Sequence, residues 1–181
     1  MVWIIVGIVV LILLYLVATY NSLVGLRNKV RNQRSQIDVE LKRRFELIPN
    51  LVETVKGYAK HEKGTLEEVI KARSAYTSTG NMSDQLKASD QLSGALSKLF
   101  ALSESYPELK ADANFMSLQK DLADIEQKIV YARQFYNDAV MKINNKIEVF
   151  PSNIVAGMFN FGREEFFEAT KEEQAKVEVK F

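Results

Sequence analysis

No charged or strongly polar side chain occurs in the first eighteen positions, MVWIIVGIVVLILLYLVA, and the first charge of any kind is Arg27. Seventeen or eighteen apolar residues rising about 1.5 Å each span about 26 Å. The uncharged extension TYNSLVGL lets a helix reach across a hydrocarbon core of roughly 30 Å. A cleaved signal peptide would want a basic region ahead of the apolar run, where only Met1 stands. A lipoprotein would need a cysteine after it, and the chain has none. The pattern predicts a retained single-span anchor over residues 1–22.

Beyond the anchor the apolar positions are Leu23, Leu26, Val30, Ile37, Leu41, Phe45, Ile48, Leu51 or Val52, Val55 and Ala59. Their steps of three, four or seven make a helical stripe. Pro49 lacks an N–H, so a kink is expected there rather than a full break. Gly57 and Gly64 flank a weaker stretch. Thr65-Leu66-Glu67-Glu68 then has the form of a capping box that restarts a helix. Thr77 to Asp84 reads as a loop. A shorter helix follows through Leu86, Leu92, Leu99 and Leu102 to about Tyr106, and Pro107 is expected to end it. The last stripe runs from Phe115 through Leu122, Ile129, Tyr136 and Ile143 to Ile147, with no internal proline or glycine. At roughly 35 residues that helix would be on the order of 50 Å long.

These elements predict an all-α fold: a single N-terminal transmembrane helix continuing into a bundle of long antiparallel helices over residues 23–149. Residues 150–181 are expected to form a short extended or irregular tail, with Val177 to Phe181 its only strand-like stretch. FPSNIVAGMFNFGREEFF packs five phenylalanines into 18 residues. Aromatics so dense are costly to leave in water. They either seal one end of the bundle or meet a partner or the membrane surface, and sealing is the favoured reading.

Composition narrows the function. Hydrophobic residues make up 47% and charged residues 26% of the 181, as in a folded chain. A net charge of +1 gives no reason to expect nucleic acid as a partner. Between Arg27 and Arg44 lie seven basic residues against two acids. That bias after the span predicts the N-terminus outside and the helical domain in the cytoplasm. The same flank suits anionic headgroups, so the lipid bilayer is the first partner expected.

Candidate chemistry is sparse. His61-Glu62 invites comparison with HExxH, but Thr65 stands at the fifth place and no second histidine exists. Paired Glu-x-x-His sites, a G-x-S-x-G elbow and a phosphate loop are likewise missing from the sequence. The reading is therefore no enzyme, with no catalytic, cofactor-binding or metal residue assigned. A metal-dependent site at His61, Glu62 and Glu67 or Glu68 is the least favoured alternative. Arg43, Arg44, Glu53 and Lys56 read as solvated or interhelix contacts.

The stretch YNSLVGLRNKVRNQRSQIDVELKRRFELIPNLVETVKGYAKHEKGTLEEVIKARSAY resembles the LemA family, as do the tail FPSNIVAGMFNFGREEFFEA and the closing VEVKF. One departure is Gln33-Arg34, where an Ala-Trp-like pair is more usual. The resemblance implies a bacterial, membrane-anchored, mostly helical protein without established enzymatic activity or agreed catalytic residues. Relatives in the family include magnetosome-membrane proteins, and family genes often neighbour a membrane metalloprotease. The expected function is a non-enzymatic helical scaffold or adaptor of the bacterial cytoplasmic (inner) membrane. It would form a homo-oligomer and act with a membrane protease or envelope complex. Apolar surface in surplus of what a monomer covers marks Leu23, Leu26, Val30, Ile37, Leu41, Phe159, Phe161 and Phe166 as interface candidates. Membrane-surface binding or remodelling is the alternative.

Overall fold

The computed structural model describes residues 1–59, 62–77 and 82–167. Among these every regular element is an α-helix: α1 (Val2–Tyr58), α2 (Lys63–Thr77), α3 (Met82–Ser103), α4 (Pro107–Lys110), α5 (Ala113–Glu148) and α6 (Ser152–Met158). The all-α expectation is met, while the strand-like ending at 177–181 lies outside the described residues.

α1 is one helix of 57 residues with Pro49 inside it. Proline at position 49 leaves the Phe45 carbonyl without its partner four residues on. Arg73 of α2 fills that gap, donating from Nε to the Phe45 oxygen at 3.3 Å. The N-terminal part of α1 is long and apolar enough to cross a membrane. Its side chains are uncovered, with Leu11 67% exposed.

Four boundaries differ from expectation, one being the start of α3 at Met82, inside the stretch Thr77 to Asp84 read as a loop. α2 starts at Lys63, and the Leu66 N–H bonds to the Glu62 carbonyl. Thr65 thus sits inside the helix and does not serve as its cap, while Glu68 pairs with Lys98 at 2.7 Å. Pro107 opens α4 after α3 has ended at Ser103, since the first helical position needs no N–H. The tail contains α6, because Pro151 stands just before its first turn and Gly157 only at its end. The start of α5 has a side-chain cap: Asp112 Oδ1 accepts from the Phe115 N–H at 2.8 Å.

The described residues divide into two compact units, 1–37 with 130–167, and 38–129; α1 and α5 contribute to both. The 38–129 unit buries Leu41, Ile48, Leu51 and Val55 of α1, Leu92 and Leu99 of α3, and Leu109, Phe115 and Ile129 beyond. Each such side chain contributes about 1.5–3 kcal/mol relative to exposure. Phe45 stacks on Tyr76 with centroids 3.7 Å apart, and Phe100 meets Phe115 edge-on at 6.1 Å. The other unit is centred on Leu23, Val155, Ala156 and Phe161, flanked by Leu16, Val24 and Ile147.

Candidate functional site

Among the described residues of unit 38–129, Arg44 is the one buried cation. Arg44 is 3% exposed, and its guanidinium joins three helices. Nη1 donates to Ser89 Oγ at 2.9 Å, Nη2 donates to Ser93 Oγ at 2.9 Å, and Nη2 pairs with Glu126 Oε2 at 2.7 Å. A guanidinium suits this place because its fork of donors reaches several acceptors at once. Through these bonds it works as a clamp between α1, α3 and α5.

Two tyrosines tie the far end of the same unit. Tyr58 donates to Asp112 Oδ2 at 3.0 Å, and Tyr106 donates to Glu62 Oε1 at 3.1 Å. Those hydrogen bonds to carboxylates are the main cause holding both phenols above their ordinary pKa. The Phe115 N–H, followed by Tyr58, holds Asp112 below the usual carboxylate range. Glu62 is therefore engaged with Tyr106 and Glu68 with Lys98, while Glu67 is exposed. His61 lies outside the described residues. No group of three or more metal-ligating side chains gathers among those described. An open groove of about 350 Å³ is lined by Arg43, Glu46, Leu47, Asp121, Asp124, Ile125 and Lys128. It mixes charges without pairing a nucleophile to a base.

Unit 1–37 with 130–167 contains a more specific construction. After α5 the chain turns, and the Ser152 hydroxyl donates to the Lys146 carbonyl at 2.7 Å. α6 closes with Asn160 at φ 53°, the Asn160 N–H on the Gly157 carbonyl and the Phe161 N–H on the Ala156 carbonyl. That is the Schellman termination, with asparagine in the left-handed place that glycine usually takes. Residues 161–167 then run back along α5 as an extended strap. Asn144 Nδ2 donates to the Glu164 carbonyl and Oδ1 accepts from the Glu164 N–H, both at 2.9 Å. Asn137 treats Phe167 the same way, at 3.0 and 2.8 Å. Seven helical residues rise about 10.5 Å and three extended residues about 10 Å, so the two asparagines match alternate grips on the strap. Tyr136 adds a bond from its hydroxyl to the Glu165 carbonyl at 3.0 Å, and its ring packs on Phe167. Burial, followed by the charge of Glu164, holds the Tyr136 phenol above its ordinary pKa.

The turn of this hairpin is docked on α1. Tyr20 meets Phe159 at 4.7 Å and Phe161 at 5.9 Å between centroids, and the Arg27 guanidinium covers Phe161 at 4.9 Å.

The eight interface candidates are distributed unevenly. Leu23, Val30, Ile37, Leu41 and Phe161 are buried within the chain, and Leu26 is half-buried. Once covered internally, those five present no surface to a second chain in this conformation. Phe159 and Phe166 remain 50% and 52% exposed. Leu23 and Phe161 share one cluster, with Phe159 beside it on Tyr20. Sequence reasoning passed over Asn137, Asn144, Ser152 and Asn160. The signal was present: two asparagines one heptad apart, continuing the apolar heptad positions Ala123 and Val130.

The sequence profile of the LemA family matches residues 33–181. Protein LemA of Metamycoplasma hominis is 27% identical over 166 residues, covering 88% of this chain and 73% of that protein. Magnetosome protein MamQ 2 of Paramagnetospirillum magneticum is 24% identical over 179 residues, covering 84% of this chain and 66% of that protein. Magnetosome protein MamQ of Magnetospirillum gryphiswaldense is 24% identical over 178 residues, covering 84% and 65%. The chain thus spans about two thirds of the length of the MamQ relatives.

Proposed function

The chain belongs to the LemA family, and on that premise we propose that it is a non-enzymatic, membrane-anchored helical scaffold. The observation that carries this reading is α1 itself. One unbroken helix begins with an uncovered apolar run and ends in the buried core of the 38–129 unit. Such a helix can place its apolar start in a bilayer while its continuation packs in a folded core. The basic residues from Arg27 to Arg44 support a cytoplasmic location for that part, in the bacterial inner membrane, with the N-terminus outside. The magnetosome names of two relatives support a role tied to a cellular structure.

Self-association belongs to the same proposal. With Leu23 to Leu41 largely covered, the exposed apolar residues of α5, Phe135 at 57% and Met141 at 46%, are the better contact. A membrane protease or envelope complex remains the class of partner. Light scattering of detergent-extracted protein tests the assembly: a defined oligomer that Phe135→Lys dissociates supports it, and a strict monomer contradicts it. For topology, a single cysteine at Lys120 should react with an impermeant maleimide only after cells are opened.

A further inference from the structure

Outside the anchor, exposed apolar surface concentrates in the hairpin around α6. Residues 149–162, VFPSNIVAGMFNFG, contain no charged side chain across fourteen positions. Val155, Ala156 and Phe161 pack inward with Leu23. The outer positions stay open, with Phe150 75%, Ile154 54% and Met158 64% exposed. Ile154 and Met158, four residues apart on α6, fall on one stripe away from the packed Val155 and Ala156, and Phe150 lies exposed in the turn just before the helix.

The position of the cluster along α1 bears on what meets that stripe. Leu16, inside the apolar run, and Val24, beyond it, both pack against the α6 cluster. Eight residues of helix rise about 12 Å, so the cluster brackets the level at which α1 passes from hydrocarbon to headgroups. The exposed stripe therefore continues the uncovered apolar surface of α1. Arg27, over Phe161, marks its polar edge. Tyr20, packed at a tilt against Phe159, has the amphipathic character that favours the bilayer boundary. Nothing about a stripe lacking charge and abutting the anchor calls for a polar partner, and lipid satisfies it directly.

We propose that the α6 hairpin is a second membrane contact, lying in the interfacial layer beside α1 with Phe150, Ile154 and Met158 among the acyl chains. The asparagine-held strap and the Ser152 bond keep it there. Two contacts on one side of the helix restrict how α1 tilts and rotates, which a single span cannot do. The proposal rests on α1 spanning the bilayer, so its test carries a control for that.

Because the chain has no cysteine, a nitroxide can be placed at one site at a time in the full-length protein. Ile154→Cys and Met158→Cys would be compared with Leu13→Cys in the anchor and Met116→Cys, an exposed site of the 38–129 unit. The samples are vesicles of phosphatidylethanolamine and phosphatidylglycerol, read by collision with oxygen and with a polar nickel chelate. The expected result is an oxygen-to-nickel ratio at 154 and 158 several-fold above that at 116 and approaching that at 13. Ratios equal to that at 116, with 13 still in lipid, overturn the α6 contact and leave the anchor intact. Shelter from both reagents at 154 and 158 would mean a protein cover and overturns it as well. A water-like reading at 13 removes the anchor, and the α6 proposal with it.

Discussion

The two units draw on the same pair of long helices and use them in opposite ways. In the 38–129 unit the large apolar side chains left in the open among the described residues are scattered: Val39, Tyr58, Ile70 and Met116. Scattered exposure of this kind is ordinary for a surface in water. In the other unit they form runs, through the first twenty residues, along Val130 to Met141, and from Val149 to Phe159. Polar chemistry is reversed too. The 38–129 unit encloses an arginine, while the other uses the side-chain amides of Asn137 and Asn144 to grip backbone. Among the described residues one unit scatters its exposed apolar side chains, and the other gathers them into runs.

The largest effect that would sharpen this contrast is a core truncation. Leu99→Ala, at a fully buried position, should cost about 2–5 kcal/mol in chemical denaturation. Ile154→Ala, on the exposed stripe, should stay within about 0.5 kcal/mol in detergent. Equal losses at the two sites would erase the distinction. Next, Arg44→Met should cost about 2–4 kcal/mol, because it strips Ser89, Ser93 and Glu126 of their shared donor. Arg44→Lys should recover only part, since an ammonium cannot reproduce the fork.

A smaller effect separates the strap from the core. Asn144→Ala removes both bonds to Glu164 and should cost about 1–2 kcal/mol. Hydrogen exchange should rise at the Glu164 amide while the Leu99 amide is unchanged. The smallest effect is on pH dependence. Asp112 titrates below its ordinary value when folded, so its contribution is present above the ordinary carboxylate pKa and disappears as pH falls through the lowered one. Tyr58 is raised, so its contribution is present below the ordinary phenol pKa and disappears as pH rises through the raised one. Asp112→Asn should flatten the acid limb of stability, and Tyr58→Phe the alkaline limb.

Periodicity made the long elements legible. Leu41, Ile48, Leu51 and Val55 repeat as one buried stripe, and α5 follows its apolar positions from Phe115 to Ile143. What escaped sequence reasoning depends on partners distant in the chain. The unbroken stripe already carries α1 past Pro49, but it does not show that Arg73, twenty-four residues later, takes the carbonyl that the proline frees. The Thr65 capping box failed because Glu62 supplied an earlier start. The helix in the tail was hidden by Pro151 and Gly157, which look like breakers until they are seen at its two ends. The burial of Leu23 was legible, but not that Val155 and Phe161 of the same chain supply it.

The central claim is that the apolar start of α1 is a retained anchor in the bilayer. Washing native membranes with alkaline carbonate and weighing the intact protein by mass spectrometry tests it in one step. The account predicts the full chain, residues 1–18 included, in the membrane pellet. A chain released to the supernatant, or one lacking that apolar run, would contradict it.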